Sequence, residues 1–177
     1  MSVARVTSAD VAALRCPYCG RTIAPDTEWV ATAQRQWGCC GFAVDEDGER
    51  VAVLLLAPDA AAERALVMAL WVDGGHAQRG LGKRLVQTAC ATFRGRDVGT
   101  IVACAGMPPT CSALPKGFLR RCGFVYVPGE RVWMLDVDAT VTDRPSARDF
   151  VRQLVASLRP VNPPAPAARA DRASSVD

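Results

Sequence analysis

The sequence predicts an α/β domain on a mixed (α+β) sheet, with about six to seven strands, three to four helices and a further C-terminal helix. Three observations carry this prediction. The apolar run Leu66 to Val72 stops, the short loop Asp73 to Arg79 follows, and Gly80-Leu81-Gly82 opens an amphipathic helix, as in a strand-loop-helix unit. Phe42-Ala43-Val44 and Val51 to Leu56 flank the turn-rich segment Asp45-Glu46-Asp47-Gly48-Glu49, as in a hairpin. Val98 to Ala105 then returns as a strand, which an ordinary crossover makes parallel to the one before the helix. With 177 residues, half of them apolar, the chain is long enough for one such domain with a real core.

Taken in order, Ser2 to Val6 forms an opening strand, and a short helix capped near Ser8 or Asp10 carries Val11, Ala12 and Leu14. Asp26 or Thr27 caps a second helix that sets Trp29, Val30, Ala33 and Trp37 on one face, with Gly38 just past its end. The hairpin follows, then the strand Ala65 to Val72. The helix from Gly80 presents Leu81, Leu85, Val86, Ala89 and Phe93 at helical spacing, and Gly95 suits its exit. Beyond the Val98 to Ala105 strand and the proline loop Met107 to Thr110, Ala113 to Cys122 reads as a short helix that tolerates Pro115 in its first turn. Phe124 to Val127 and Arg131 to Val137 form a closing antiparallel pair around Pro128-Gly129. Residues 1–138 thus make the domain and 139–160 a C-terminal helix. In that helix Ser146 and Asp149 cap a stripe of Phe150, Val151, Leu154, Val155 and Leu158. The Pro-, Ala- and Ser-rich stretch 161–177 reads as a disordered tail.

A net charge of +3, with no basic run interleaved with aromatics, argues against a nucleic-acid partner. No apolar run reaches the length of a membrane span. Arg5, Asp10 and Arg15 near the start leave no apolar core for a secretory leader, so a cytoplasmic protein with mostly reduced cysteines is expected.

The chemistry concentrates after the apolar strand. The first turn of a helix leaves backbone N–H groups unpaired, and the helix dipole adds partial positive charge there. Glycines at that turn let a phosphate approach the backbone without meeting a Cβ, so Gly80 and Gly82 read as a pyrophosphate cradle, or as glycines of a tight strand-to-helix turn.

Val72, Gly80, Leu81 and Gly82, with Leu85 and Val86 continuing the helix, resemble the acetyl-CoA-binding segment of GCN5-related N-acetyltransferases (GNAT). Phe118-Leu119-Arg120-Arg121-Cys122-Gly123-Phe124 is similar to the segment where that family ends its next helix in Gly-Phe and enters a strand. The resemblance spans roughly residues 2–137. Trp37-Gly38, Cys40-Gly41, Pro58 and Leu114-Pro115 further resemble an actinobacterial branch of small acetyltransferases of unassigned substrate. The resemblance implies acetyl-CoA as co-substrate, bound at Leu70, Trp71, Val72, Ala77, Gln78, Arg79, Gly80, Leu81, Gly82 and Lys83. It implies direct attack of an amine, from a small molecule or a peptide, on the thioester in a ternary complex. The chain also departs from the family. Ala77 stands where Arg or Gln is usual, with Gln78 and Arg79 adjacent as substitutes. Leu119 stands where the family often has the tyrosine that protonates the leaving thiolate.

Candidates for moving protons are Tyr126 in the strand after Gly-Phe, Glu28 in the acceptor-side helix and Cys111 at the opening of the next helix. Each has a plainer reading: half-buried strand tyrosine, solvated carboxylate, small apolar filler. His76, the one histidine, reads as a loop residue, and Ser112 as an N-cap. Cys16-Pro17-Tyr18-Cys19 with Cys39-Cys40 offers a possible zinc site, a redox pair or plain thiols, while Cys90, Cys104 and Cys122 read as core. Two other functions stay open: a non-catalytic acyl-CoA-binding or sensing module, and a zinc-stabilised interaction domain. Either a monomer or a homodimer is compatible with the sequence.

Overall fold

The computed structural model describes residues 2–22, 27–59 and 63–139. Asp26, the C-terminal stripe Phe150 to Leu158 and the tail 161–177 lie outside the described residues.

Within them an eight-stranded mixed sheet carries four α-helices. The elements are β1 (Ser2–Val6), α1 (Ser8–Val11), α2 (Glu28–Trp37), β2 (Gly41–Glu46), β3 (Glu49–Asp59), β4 (Arg64–Val72), α3 (Leu81–Phe93), β5 (Thr100–Ala105), β6 (Ala113–Leu114), α4 (Lys116–Cys122), β7 (Val125–Val127) and β8 (Val132–Asp136). The strand order is β1-β2-β3-β4-β5-β8-β7, with β6 paired to β5. All neighbours are antiparallel except β4–β5 and β5–β6. The expected hairpin closes through Asp47 and Gly48, both at positive φ (52° and 83°), the two-residue turn whose twist matches its strands.

The feature that matters for function lies in β4. Its pairing with β3 shifts register between Leu55 and Leu56, leaving Met68 as an extra residue on β4. Such a bulge bends a strand and sharpens its twist. The bend falls where the parallel partner is lost: β4 and β5 pair only from Arg64↔Thr100 to Leu66↔Val102. Beyond that point the two strands diverge.

α3 presents Leu81, Leu85, Val86, Ala89 and Phe93 to β2, β3 and β4, all of them buried as the periodicity expects. α2 buries Val30, Ala33 and Trp37, and Trp37 meets Phe93 of α3 with ring centroids 4.7 Å apart. Gly38 ends α2 in the left-handed conformation. No polar or charged residue is buried among the described residues.

Several expectations need correction. α1 starts after an N-cap at Thr7 and is over by Val11. Leu14 is buried from the following turn, and Ala12 is exposed. Asp10 supplies the cap, accepting from the Thr7 N–H (2.8 Å) and the Thr7 hydroxyl (2.6 Å). Ala113 and Leu114 are not helical: they pair in parallel with Cys104 and Ala105, and α4 begins only after Pro115, its N-cap. Ser112 is therefore not a cap. Its hydroxyl lies 3.3 Å from that of Thr110, inside a loop closed by Thr110 N–H to Ala113 C=O. Cys104 is exposed rather than core, because β5 has by then outrun both β4 and β8.

Candidate active site

Divergence of β4 from β5 leaves a cavity of about 1070 Å³, bounded by the end of β4, the first turn of α3, the loop before β6, and α4. Gly80 is the N-cap of α3 in the left-handed conformation (φ 77°), and the first intrahelical bond runs from the Arg84 N–H to its carbonyl. The N–H groups of Leu81, Gly82 and Lys83 therefore have no partner within the helix. These three residues line the cavity, as do Lys83's fellow cation Arg121 and Gln78. Oriented amides, a helix dipole and two cations suit a diphosphate.

The two glycines serve different ends. Open space surrounds Gly80, and its need is conformational. A Cβ on Gly82 would lie 3.0 and 3.2 Å from ring carbons of Phe118 and 3.5 Å from a methyl of Leu70. Gly82 thus lets α4 and β4 close against α3 beneath the cavity.

Of the ten residues expected to bind the cofactor, Leu70, Trp71, Val72, Gln78, Gly80, Leu81, Gly82 and Lys83 line the cavity, and Ala77 and Arg79 do not. The Arg79 guanidinium turns to Glu46, 3.5 Å from its carboxylate. The same carboxylate lies 2.8 Å from Nε2 of His76, whose Nδ1 is 3.1 Å from Asp73. His76 and the Gly75 N–H together hold the Asp73 carboxyl below its ordinary range. These residues tie the loop into α3 back to β2. Between the two substitutes for Ala77, it is Gln78 that reaches the cavity.

The cavity edge of β4 is already engaged. The Leu70 N–H donates to the Cys111 carbonyl at 2.7 Å, and the Tyr18 hydroxyl donates to the Val72 carbonyl at 2.5 Å. Sequence reasoning missed Tyr18, Phe118 and Arg121. The signal for Tyr18 was its place inside Cys16-Pro17-Tyr18-Cys19, a tight turn that throws the intervening side chain outward.

Among the proton-moving candidates, Cys111 lines the cavity, and Tyr126 and Glu28 lie off its lining. Tyr126 is half-exposed on β7, tilted against Trp133 with centroids 5.6 Å apart. Glu28 is exposed in the first turn of α2. The Cys111 sulfur lies 3.6 Å from that of Cys19, and burial pushes its thiol up to about 11. The cysteine group also differs from the expected one. The sulfurs of Cys16, Cys19 and Cys111 lie within 4.8 Å of one another, while Cys39 and Cys40 are buried elsewhere. Cys40 donates to the Val30 carbonyl, and burial raises its thiol to about 11, the state of a packed protonated side chain.

Comparison with known proteins fits this geometry. Ard1 from Thermoplasma volcanium superimposes with a TM-score of 0.55 at 12% identity, over 76% of this chain and 96% of that one. The ribosomal-protein-S18-alanine N-acetyltransferase from Escherichia coli gives 0.53 at 14% identity, over 77% and 93%. A GNAT-like decarboxylase solved in complex with isobutyryl-CoA gives 0.54 at 13% identity, over 77% and 100%. At these identities the likeness is one of fold. No curated protein sequence matches the chain. The sequence model of the acetyltransferase (GNAT) family matches residues 9–124, well over half of the chain, and the protein belongs to that family.

Proposed function

We propose that the protein is an N-acetyltransferase that moves an acetyl group from acetyl-CoA to an amine by direct attack in a ternary complex. The observation that carries this reading is the union of strand divergence and helix start in one cavity. The splayed edge of β4 from Leu70 to Val72 runs up to the free amides of Leu81 to Lys83. Those amides, with Lys83 and Arg121, form the diphosphate end, and the β4 edge receives the extended pantetheine arm. In the reaction the amine nitrogen forms the new C–N bond, the C–S bond breaks, and the thiolate leaves and takes up a proton. The Leu70 amide suits the developing oxyanion once its bond to the Cys111 carbonyl is exchanged. Tyr126, Glu28 and Cys111 remain the side chains proposed for proton movement, and only Cys111 borders the cavity.

A specific observation favours a second reading, in which the protein binds acyl-CoA without transferring the acyl group. The Leu70 amide is engaged by Cys111, and Leu119, in place of the usual tyrosine, is fully buried. One experiment separates the two. Acetyl-CoA raises the melting temperature under both, whereas release of free thiol in the presence of an amine panel requires transfer. Binding without thiol release establishes the second reading. Absence of both removes the cofactor site.

A further inference from the structure

Three sulfurs from two distant parts of the chain meet beside the cavity. Cys16 and Cys19 belong to a tight turn before α2, and Cys111 to the loop before β6. All three Sγ atoms lie within 4.8 Å of one another, and Cys19 and Cys111 are 3.6 Å apart. Two sulfurs on one tetrahedral zinc ion, each about 2.3 Å from the metal, are roughly 3.8 Å from each other. The Cys19–Cys111 separation of 3.6 Å is close to that edge, and the other two pairs lie within 4.8 Å.

The turn has the architecture of a thiolate-ligating loop. The Cys16 N–H donates to the Arg21 carbonyl at 3.0 Å and the Gly20 N–H to the Cys16 carbonyl at 2.9 Å. Gly20 is left-handed at φ 67°, and Arg15 bridges Thr22 to close the loop. Packing accounts for Cys16, which is buried in the core, and in part for Cys111, which packs against it, but not for the exposed Cys19.

We propose that Cys16, Cys19 and Cys111 form a trithiolate site for a thiophilic divalent ion of the zinc class. No fourth protein ligand lies in the group among the described residues. The fourth position is therefore left to water or an exogenous ligand. Binding exchanges thiol protons for metal–sulfur bonds, with no change of oxidation state. The ion ties the turn carrying Tyr18 to the loop carrying Cys111. This site does not depend on acetyl transfer; with Cys111 bound as a thiolate, proton movement falls to another group, and the test reads metal rather than activity.

The test uses the full chain, reduced, loaded with zinc and gel-filtered, with metal measured by elemental analysis. About one equivalent per chain is expected. Cobalt loading should give sulfur-to-metal charge-transfer absorption in the near ultraviolet. Cys19→Ser and Cys111→Ser should each lose the metal, and Cys104→Ser, an exposed cysteine outside the group, should keep it. The cobalt spectrum of the unaltered chain reads the site even if a variant fails to fold. Substoichiometric zinc after loading overturns the proposal, as does a cobalt spectrum without sulfur bands, or full metal retention by Cys111→Ser. A Cys19–Cys111 disulfide that persists in the reduced, zinc-loaded sample also overturns it.

Discussion

A methyl group added at Gly82 would press on the Phe118 ring at 3.0 Å, closer than side chains normally tolerate. Helix propensity favours alanine over glycine by about 1 kcal/mol, and overpacking costs about 1–3 kcal/mol. The second effect wins unless the ring can move. Gly82→Ala is therefore expected to lower the unfolding midpoint and weaken acetyl-CoA binding, and Phe118→Leu in the same chain should restore stability. Thermal melts and calorimetry check both parts. In the sequence Gly80 and Gly82 look alike, since spacing reveals the strand-to-helix turn but not what lies above each Cα. Arg79 and Gln78 pose the same difficulty, because the choice of which one faces the cavity is made by Glu46, more than thirty residues earlier.

Elements with a strong period were legible; those held by a few backbone bonds were not. α3 announces itself through Leu81, Leu85, Val86, Ala89 and Phe93, and the β2–β3 hairpin through Asp47-Gly48 between apolar runs. β6 is two residues long and has no period to read. Its strand character comes from β5, which loses its other partners at that end. α1 has only four residues, and its stability is local. Asp10 is held below its ordinary carboxylate value by the Thr7 hydroxyl first and the Thr7 N–H second, with help from Arg50 at 3.8 Å. A carboxyl depressed in the folded state stabilises fully above its unfolded value, near 3.8, and that contribution disappears as pH falls through the folded value. Asp10→Ala is expected to lower stability at pH 7, with the difference from the unaltered chain shrinking below about pH 4. Urea denaturation across that range measures it.

For the whole molecule, a net charge of only +3 makes local placement of cations more telling than the total. Lys83 and Arg121 come from different helices to one cavity. Lys83→Ala and Arg121→Ala are each expected to weaken acetyl-CoA binding about tenfold, the size of one charged hydrogen bond after screening. The loss should be smaller at high salt. An unchanged dissociation constant in both would remove the diphosphate from that end. The family was visible through the resemblance of Val72, Gly80-Leu81-Gly82 and Phe118 to Phe124 to its segments, even though solved structures of like fold share only 12–14% of residues. The sulfur group was only half visible. Cys16 and Cys19 declare themselves by spacing, but Cys111 joins them across 92 positions through the path of the loop before β6. Local spacing pointed instead to Cys39 and Cys40, which the core absorbs.

The hydrogen bonds from Leu70 to Cys111 and from Tyr18 to Val72 have a kinetic corollary. An incoming pantetheine arm would meet a strand edge whose amide and carbonyl are already occupied, so entry is an exchange of partners rather than a simple addition. Stopped-flow association with acetyl-CoA should then level off as ligand concentration rises, at the rate with which the covering segments lift. Tyr18→Phe, which removes one of the resident bonds, should raise that ceiling. A rate that climbs linearly without limit would mean the edge is bare in solution.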